Sequence, residues 1–255
     1  MSKIKEALEK ARRIRSMGTP FMLIEEEALT QPTKKVVNYA SNAIMNHKII
    51  TLTEDPFKLS ERFKLFKTQI LTKMQSAGDK TILITSCLDG EGKTFTAVNL
   101  AVMFAREIDK NVLLVDVNFS HPSILSSFGI QIKEGLSDYL LNDKPLSELL
   151  INPGIEKMAI LPAGNNIQNS TEVLGSLKMK NLVFEMKDRY HDRYIFFDGP
   201  SVFNSVDTIV LSQYIDKILL VVESGKVSPQ KMSEAVKLLG EEKILGIILN
   251  KGNPA

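Results

Sequence analysis

The chain has 255 residues, 44% of them hydrophobic, which is enough for one large α/β domain with a short appendage. Its 32 basic and 30 acidic residues nearly cancel, so no global field argues for nucleic acid as a partner. One cysteine, Cys87, excludes a disulfide framework, and no apolar run approaches the roughly 18 residues of a spanning helix. These features predict a soluble cytoplasmic protein that reaches the inner face of a membrane only through a partner.

In chain order, residues 2–16 place Ile4, Ala7, Leu8, Ala11 and Ile14 at the spacing of one helical face. Six basic residues against two acidic ones give this stretch a local charge of +4. Two readings fit it: a solvated helix packed on its own domain or on a second copy, and a docking helix for an acidic partner or an anionic membrane. Residues 17–47, with Gly18, Pro20, Gln31 and Pro32, read as a poorly ordered linker. The chain therefore divides into an N-terminal helical extension over 1–47 and a main domain over 48–255. In the latter, apolar runs recur at 81–85, 112–116, 158–161, 194–198, 217–222 and 244–249. Helical patterns lie at 93–106, 177–190, 205–213 and 229–239. Near-continuous apolar strands between helices predict an α/β fold with a mostly parallel central sheet flanked by helices. Ligands of such sheets bind beyond the strand C-termini.

Residues 82–94 read Ile-Leu-Ile-Thr-Ser-Cys-Leu-Asp-Gly-Glu-Gly-Lys-Thr, an apolar strand entering a glycine turn that opens a helix. This is what a triphosphate needs: glycines turn N–H groups inward, the helix N-terminus adds partial charge, and Lys93 adds a full one. The Thr94 hydroxyl can hold Mg²⁺. Asp89, Gly90, Glu91, Gly92, Lys93, Thr94 and Phe95 are the predicted nucleotide contacts. Cys87 stands where the usual pattern begins with glycine; a helix N-terminus beside it can lower the pKa of a thiol, and redox sensitivity there is the minor of two readings, an inert thiol the favoured one. Asp116 ends Val-Leu-Leu-Val-Asp and Asp198 ends Tyr-Ile-Phe-Phe-Asp. A carboxylate after four apolar residues is costly to bury alone, and a nucleotide-borne Mg²⁺ is its natural compensation. Asp198 is assigned to the metal through water, and Asp116 to orienting or deprotonating the attacking group.

With the glycine loop, residues 112–123 (Val-Leu-Leu-Val-Asp-Val-Asn-Phe-Ser-His-Pro-Ser) and Phe-Phe-Asp198-Gly-Pro200 resemble the Walker A, A′ and B motifs of the bacterial tyrosine kinases (BY-kinases) of capsule and exopolysaccharide synthesis. These belong to the P-loop NTPase branch of the MinD and ParA ATPases. Phe128-Gly129, Gly135-Leu-Ser-Asp-Tyr-Leu140, Leu161-Pro-Ala-Gly164 and Gly246-Ile-Ile-Leu-Asn250 also match, so the resemblance covers about residues 48–252. Residues 2–11 resemble free-standing versions of the family. The resemblance implies a MinD/ParA-like fold, ATP and Mg²⁺ as cofactors, and phosphoryl transfer to tyrosine. It also implies a membrane-embedded polysaccharide co-polymerase or activator as partner, and a homo-oligomer. Lys93, Asp116 and Asp198 become its catalytic residues, and Thr94, Asp116, Asn118 and Asp198 its metal set. Asn250, after the last strand, takes an adenine contact or is a plain turn residue. Glu61, Lys64 and Lys67 are close to the family's Glu-x-x-Arg-x-x-Arg oligomerisation motif and fall on one helical face. Lysine lacks the bidentate fork of arginine, so a weaker or altered ring is expected.

Three features depart from the family pattern. Asn118 stands where a second acid is usual, and Ser120-His121 replaces a basic pair. Walker B reads Asp-Gly-Pro-Ser rather than Asp-Thr/Ser-Pro-Pro. None of the five tyrosines (Tyr39, Tyr139, Tyr190, Tyr194, Tyr214) follows Asn250, so tail autophosphorylation of the family's kind is not expected. The alternative function is an ATP-gated assembly or regulatory subunit of the same system with little kinase activity. His47, His121 and His191 have no metal-ligand spacing, and His121 reads as a turn residue before Pro122.

Overall fold

Strands that are apolar from end to end must be covered on both faces. The computed structural model describes residue 49, residues 59–188 and residues 192–252, with side chains in the first helix from Phe63 onward. The predicted extension over 1–47, the side chain of Glu61, and Tyr39, His47, Tyr190 and His191 lie outside the described residues.

Six strands form the sheet among the described residues. They are β1 (Thr81–Ser86), β2 (Asn111–Asp116), β3 (Met158–Leu161), β4 (Arg193–Asp198), β5 (Lys217–Glu223) and β6 (Ile244–Asn250). Their order is β3-β2-β4-β1-β5-β6, and every pairing is parallel. The helices are α1 (Leu59–Ala77), α2 (Lys93–Ala105), α3 (Ile124–Ser127), α4 (Leu136–Asn142), α5 (Leu146–Leu149), α6 (Ser170–Leu174), α7 (Leu177–Asp188), α8 (Asp207–Ser212) and α9 (Pro229–Leu239).

Alternation along each strand divides the core in two. Leu83, Leu113, Val115, Ile195, Phe197 and Leu220 face one layer with Leu182 of α7, Leu211 of α8 and Ala235 of α9. Ile82, Ile84, Leu114, Phe196 and Val221 face the other, with Ile70 and Met74 of α1 and the body of α2. From Thr96 to Ala105 every residue of α2 is buried, as expected of a helix held between a sheet and a second helix. Phe63 of α1 meets Phe95 of α2 edge-on at 6.2 Å. Phe104 makes the same kind of contact with Tyr194 and Phe196, at 5.3 and 5.0 Å. Each large apolar side chain so buried contributes about 1.5–3 kcal/mol.

The predicted parallel sheet and its flanking helices are present, and each expected strand is found within one residue of its expected ends. The short helices α3 to α6 are not foreseen by the sequence pattern, because four to seven residues are too few to display a helical period. Two of the family-like connecting pieces turn out to join each other. Leu136 N–H donates to Pro162 O at 2.7 Å, and Ser137 N–H to Ala163 O at 2.9 Å. A Cβ on Gly135 would lie 2.2 Å from Pro162 O, so glycine is required there by close approach of two backbones.

Candidate nucleotide site

The order β2-β4-β1 puts the C-terminal ends of three central strands side by side. β1 ends at Ser86 and runs into residues 87–92, after which α2 begins at Lys93. Gly90 and Gly92 have φ of +80° and +97°, values that turn successive N–H groups toward one side. At Gly92 a Cβ would also sit 2.1 Å from Asn250 Nδ2, so the position has neither the conformation nor the room for a side chain.

The two predicted carboxylates are register partners on β2 and β4, both buried. Asp116 accepts the N–H groups of Asn118 at 3.1 Å, Ser123 at 3.0 Å and Ile124 at 3.2 Å. Asp198 Oδ2 accepts the Thr94 hydroxyl at 2.6 Å. Its Oδ1 is buried without a hydrogen-bond partner among the described residues. An unpaired carboxylate oxygen there is costly unless a cation or proton joins it. Burial pushes the Asp198 carboxyl up to about 8, and the charge of Asp116 adds to the rise. Burial pushes Asp116 up to about 6, against the pull of its three backbone donors. A hydroxyl at the start of α2, an orphaned oxygen and a second acid beside them form an all-oxygen donor set of the kind Mg²⁺ takes with a nucleotide's phosphates.

The structure also shows how the loop is tied down. Glu91 is fully buried, and its carboxylate faces inward, accepting Leu88 N–H at 2.7 Å and Glu223 N–H at 3.0 Å. Asp89 accepts the Ser201 hydroxyl at 2.7 Å and Asn204 Nδ2 at 2.6 Å, and the Ser201 bond chiefly holds its carboxyl below the usual range. Ser201 belongs to the altered Walker B turn, so that departure has a structural use. A Cβ at Gly199 would meet Leu83 Cδ1 at 2.9 Å, which explains why no Thr or Ser fits there without repacking. Asn118 Oδ1 accepts the His121 N–H at 3.3 Å, forming the turn after β2. Phe95 is half-buried against Phe63.

The minor reading of Cys87 is overturned. The Cys87 thiol is not acidified: burial, then the charge of Glu91, push it up to about 11, so the helix N-terminus loses to desolvation. On α1, Lys67 forms an ion pair with Glu107 of this chain. Sequence reasoning missed Ser123, whose hydroxyl lies 2.9 Å from that of Thr94. It equally missed Glu223, Lys226 and Lys251; only their closeness to strand ends marked them in the sequence.

The AAA-domain family profile matches residues 79–243. The chain is 31% identical over 208 residues to the tyrosine-protein kinase YwqD of Bacillus subtilis (strain 168), covering 81% of this chain and 86% of that protein. The chain belongs to the bacterial tyrosine-kinase family. In keeping with that family, it superposes on the crystal structure of the chimerical protein CapA2B2 with a TM-score of 0.74 at 26% identity, covering 90% of this chain and 98% of the other. A broader likeness of fold joins these kinases to the septum site-determining protein MinD complexed with Mg-ADP from Pyrococcus horikoshii OT3. There the TM-score is 0.56 at 23% identity, over 67% of this chain and 69% of that one. Among the described residues no helix is long and apolar enough to cross a membrane.

Proposed function

We propose that this protein is an ATP-binding tyrosine-kinase subunit of a capsule or exopolysaccharide synthesis system, transferring phosphoryl groups to tyrosine. The observation that carries the reading is the orphaned Asp198 Oδ1 beside the Thr94 hydroxyl at the mouth of a glycine cradle. Backbone N–H groups of residues 89–94 and the Lys93 ammonium hold the β- and γ-phosphates. Glu91 contributes its backbone to that cradle, since its side chain is engaged below it. Thr94 and Asp198 hold Mg²⁺, which supplies charge neutralisation on the phosphates. Asn118, whose N–H is held by Asp116, keeps a second lone pair on Oδ1 for the metal's shell. Asp116, fixed by three backbone donors and pushed up to about 6, accepts the proton of the tyrosine hydroxyl. Asn250 flanks the loop at Gly92, where a base edge leaving the cradle would pass. The partner is a membrane-embedded polysaccharide co-polymerase, and copies of the chain assemble through the α1 face bearing Glu61, Lys64 and Lys67.

The test is phosphotyrosine formation by the full chain with Mg·ATP and the cytoplasmic segment of such a partner. Phosphotyrosine that disappears in Lys93→Met supports the kinase reading. Asn118, which puts a neutral oxygen where an acid would strengthen the metal site, favours the second reading of an ATP-gated assembly subunit. Tight ATP binding and ATP-driven assembly with no phosphotyrosine would establish that reading instead.

A further inference from the structure

A glycine turn between a strand and a helix has no backbone ladder to fix it, and a bound anion is the usual organiser of such a nest. In this chain four successive carbonyls of the turn are each engaged from outside by a side-chain donor. The Ser86 hydroxyl donates to Leu88 O at 2.7 Å, and Lys226 Nζ to Asp89 O at 3.2 Å. Lys251 Nζ donates to Gly90 O at 2.8 Å, and Asn250 Nδ2 to Glu91 O at 2.8 Å. Within one peptide plane the C=O and the following N–H point in opposite directions. Holding carbonyls 88–91 outward therefore aims the N–H groups of residues 89–92 at the opposite side. Among the described residues no backbone acceptor meets those four N–H groups.

The two lysines are themselves anchored. Glu223 Oε2 accepts Lys226 Nζ at 3.1 Å and Lys251 Nζ at 3.2 Å, while Glu223 N–H donates to Glu91 Oε1 at 3.0 Å. Lys251 sits at φ +56°, in the left-handed region that non-glycine residues seldom occupy, and its ammonium reaches the loop from there.

We propose that Lys226 and Lys251, braced by Glu223, are positioning residues that pre-shape the phosphate cradle before nucleotide arrives. This rests on the reading of residues 89–94 as that cradle. A loop already turned toward the phosphates spends less of the ligand's binding free energy on ordering. The dependence on pre-shaping falls on ligands that carry a β-phosphate and not on the base and ribose.

The test uses the full chain and Lys226→Met, Lys251→Met and the double substitution, with Lys→Arg at both positions as the conservative pair. Affinity for ADP with Mg²⁺ is measured by calorimetry, AMP by displacement of a fluorescent ADP. Amide exchange of residues 87–92 is followed in nucleotide-free protein. The double Met variant is expected to lose about tenfold or more in ADP affinity, keep its AMP affinity, and exchange the loop amides at least tenfold faster. The Arg pair, which retains charge and donors, is expected to restore most of both. Loss of ADP affinity with unchanged exchange in the loop would overturn the proposal, because only the field of the lysines would then be at work. Parent-like ADP binding in the double variant would overturn it too, with the cradle reading intact. An absence of ADP binding by the parent chain would end both readings together.

Discussion

Replacing Asp198 by asparagine is expected to stabilise the nucleotide-free protein while removing the carboxylate of the proposed metal site. A carboxyl whose proton affinity is raised by folding favours the folded state as long as it is protonated. That advantage is full below its unfolded value of 3.8 and is lost as pH rises through its folded value of about 8. Stability of the metal-free protein should therefore fall from about pH 4 to pH 8, Asp116 contributing to the lower part of the range. Each tenfold change in proton affinity is worth about 1.4 kcal/mol, so even half of this rise, shared with Asp116, amounts to about 3 kcal/mol at pH 8. The substituted amide carries no charge to desolvate, and its carbonyl can still accept the Thr94 hydroxyl. For a domain of this size about 3 kcal/mol corresponds to roughly 9 °C in Tm. Thermal unfolding in EDTA at several pH values from 5.5 to 8.5 measures this. The parent should lose Tm with rising pH, and Asp198→Asn should be nearly flat and higher at pH 8. With Mg·ADP the order should reverse, since only the parent gains from the ligand. A parent curve flat over that range, or an Asp198→Asn variant less stable at pH 8, would refute the buried-carboxylate argument.

Gly92→Ala combines a left-handed φ of +97° with a Cβ 2.1 Å from Asn250 Nδ2. It should cost about 1–3 kcal/mol in denaturant unfolding and abolish ADP binding, whereas Gly225→Ala, at φ +77° with open space, should cost stability alone. On the proposed metal set, Asn118→Asp adds a charge to the metal's surroundings and should raise Mg²⁺ affinity several-fold in nucleotide-bound protein. An unchanged or lower affinity would remove Asn118 from the metal's surroundings.

Much of the site is legible in the sequence because its chemistry is written in short contiguous runs. The strand-turn-helix of residues 82–94 and the strand-end acids Asp116 and Asp198 need only apolar run lengths and the cost of burying charge. What stays hidden is every contact that joins distant segments. Glu91 reads as a loop residue facing ligand, yet its two acceptor bonds run to Leu88 and to Glu223, which is 132 positions away. Ser201 reads as a departure from a motif until its bond to Asp89 is seen. At Cys87 a local rule, the helix N-terminus, competes with burial that only packing sets.

By itself the sequence determined the periodicities, and with them the parallel sheet and the place of the glycine loop. It did so because side-chain alternation and helix spacing are local properties of the chain. Tertiary structure alone decided strand order, and hence that Asp116 and Asp198 are neighbours with one oxygen left over. It also decided that lysines following β5 and β6 reach back to the carbonyls of a turn more than a hundred residues earlier. Desolvation and donor geometry depend on what surrounds a group in space, and no run of adjacent residues contains that.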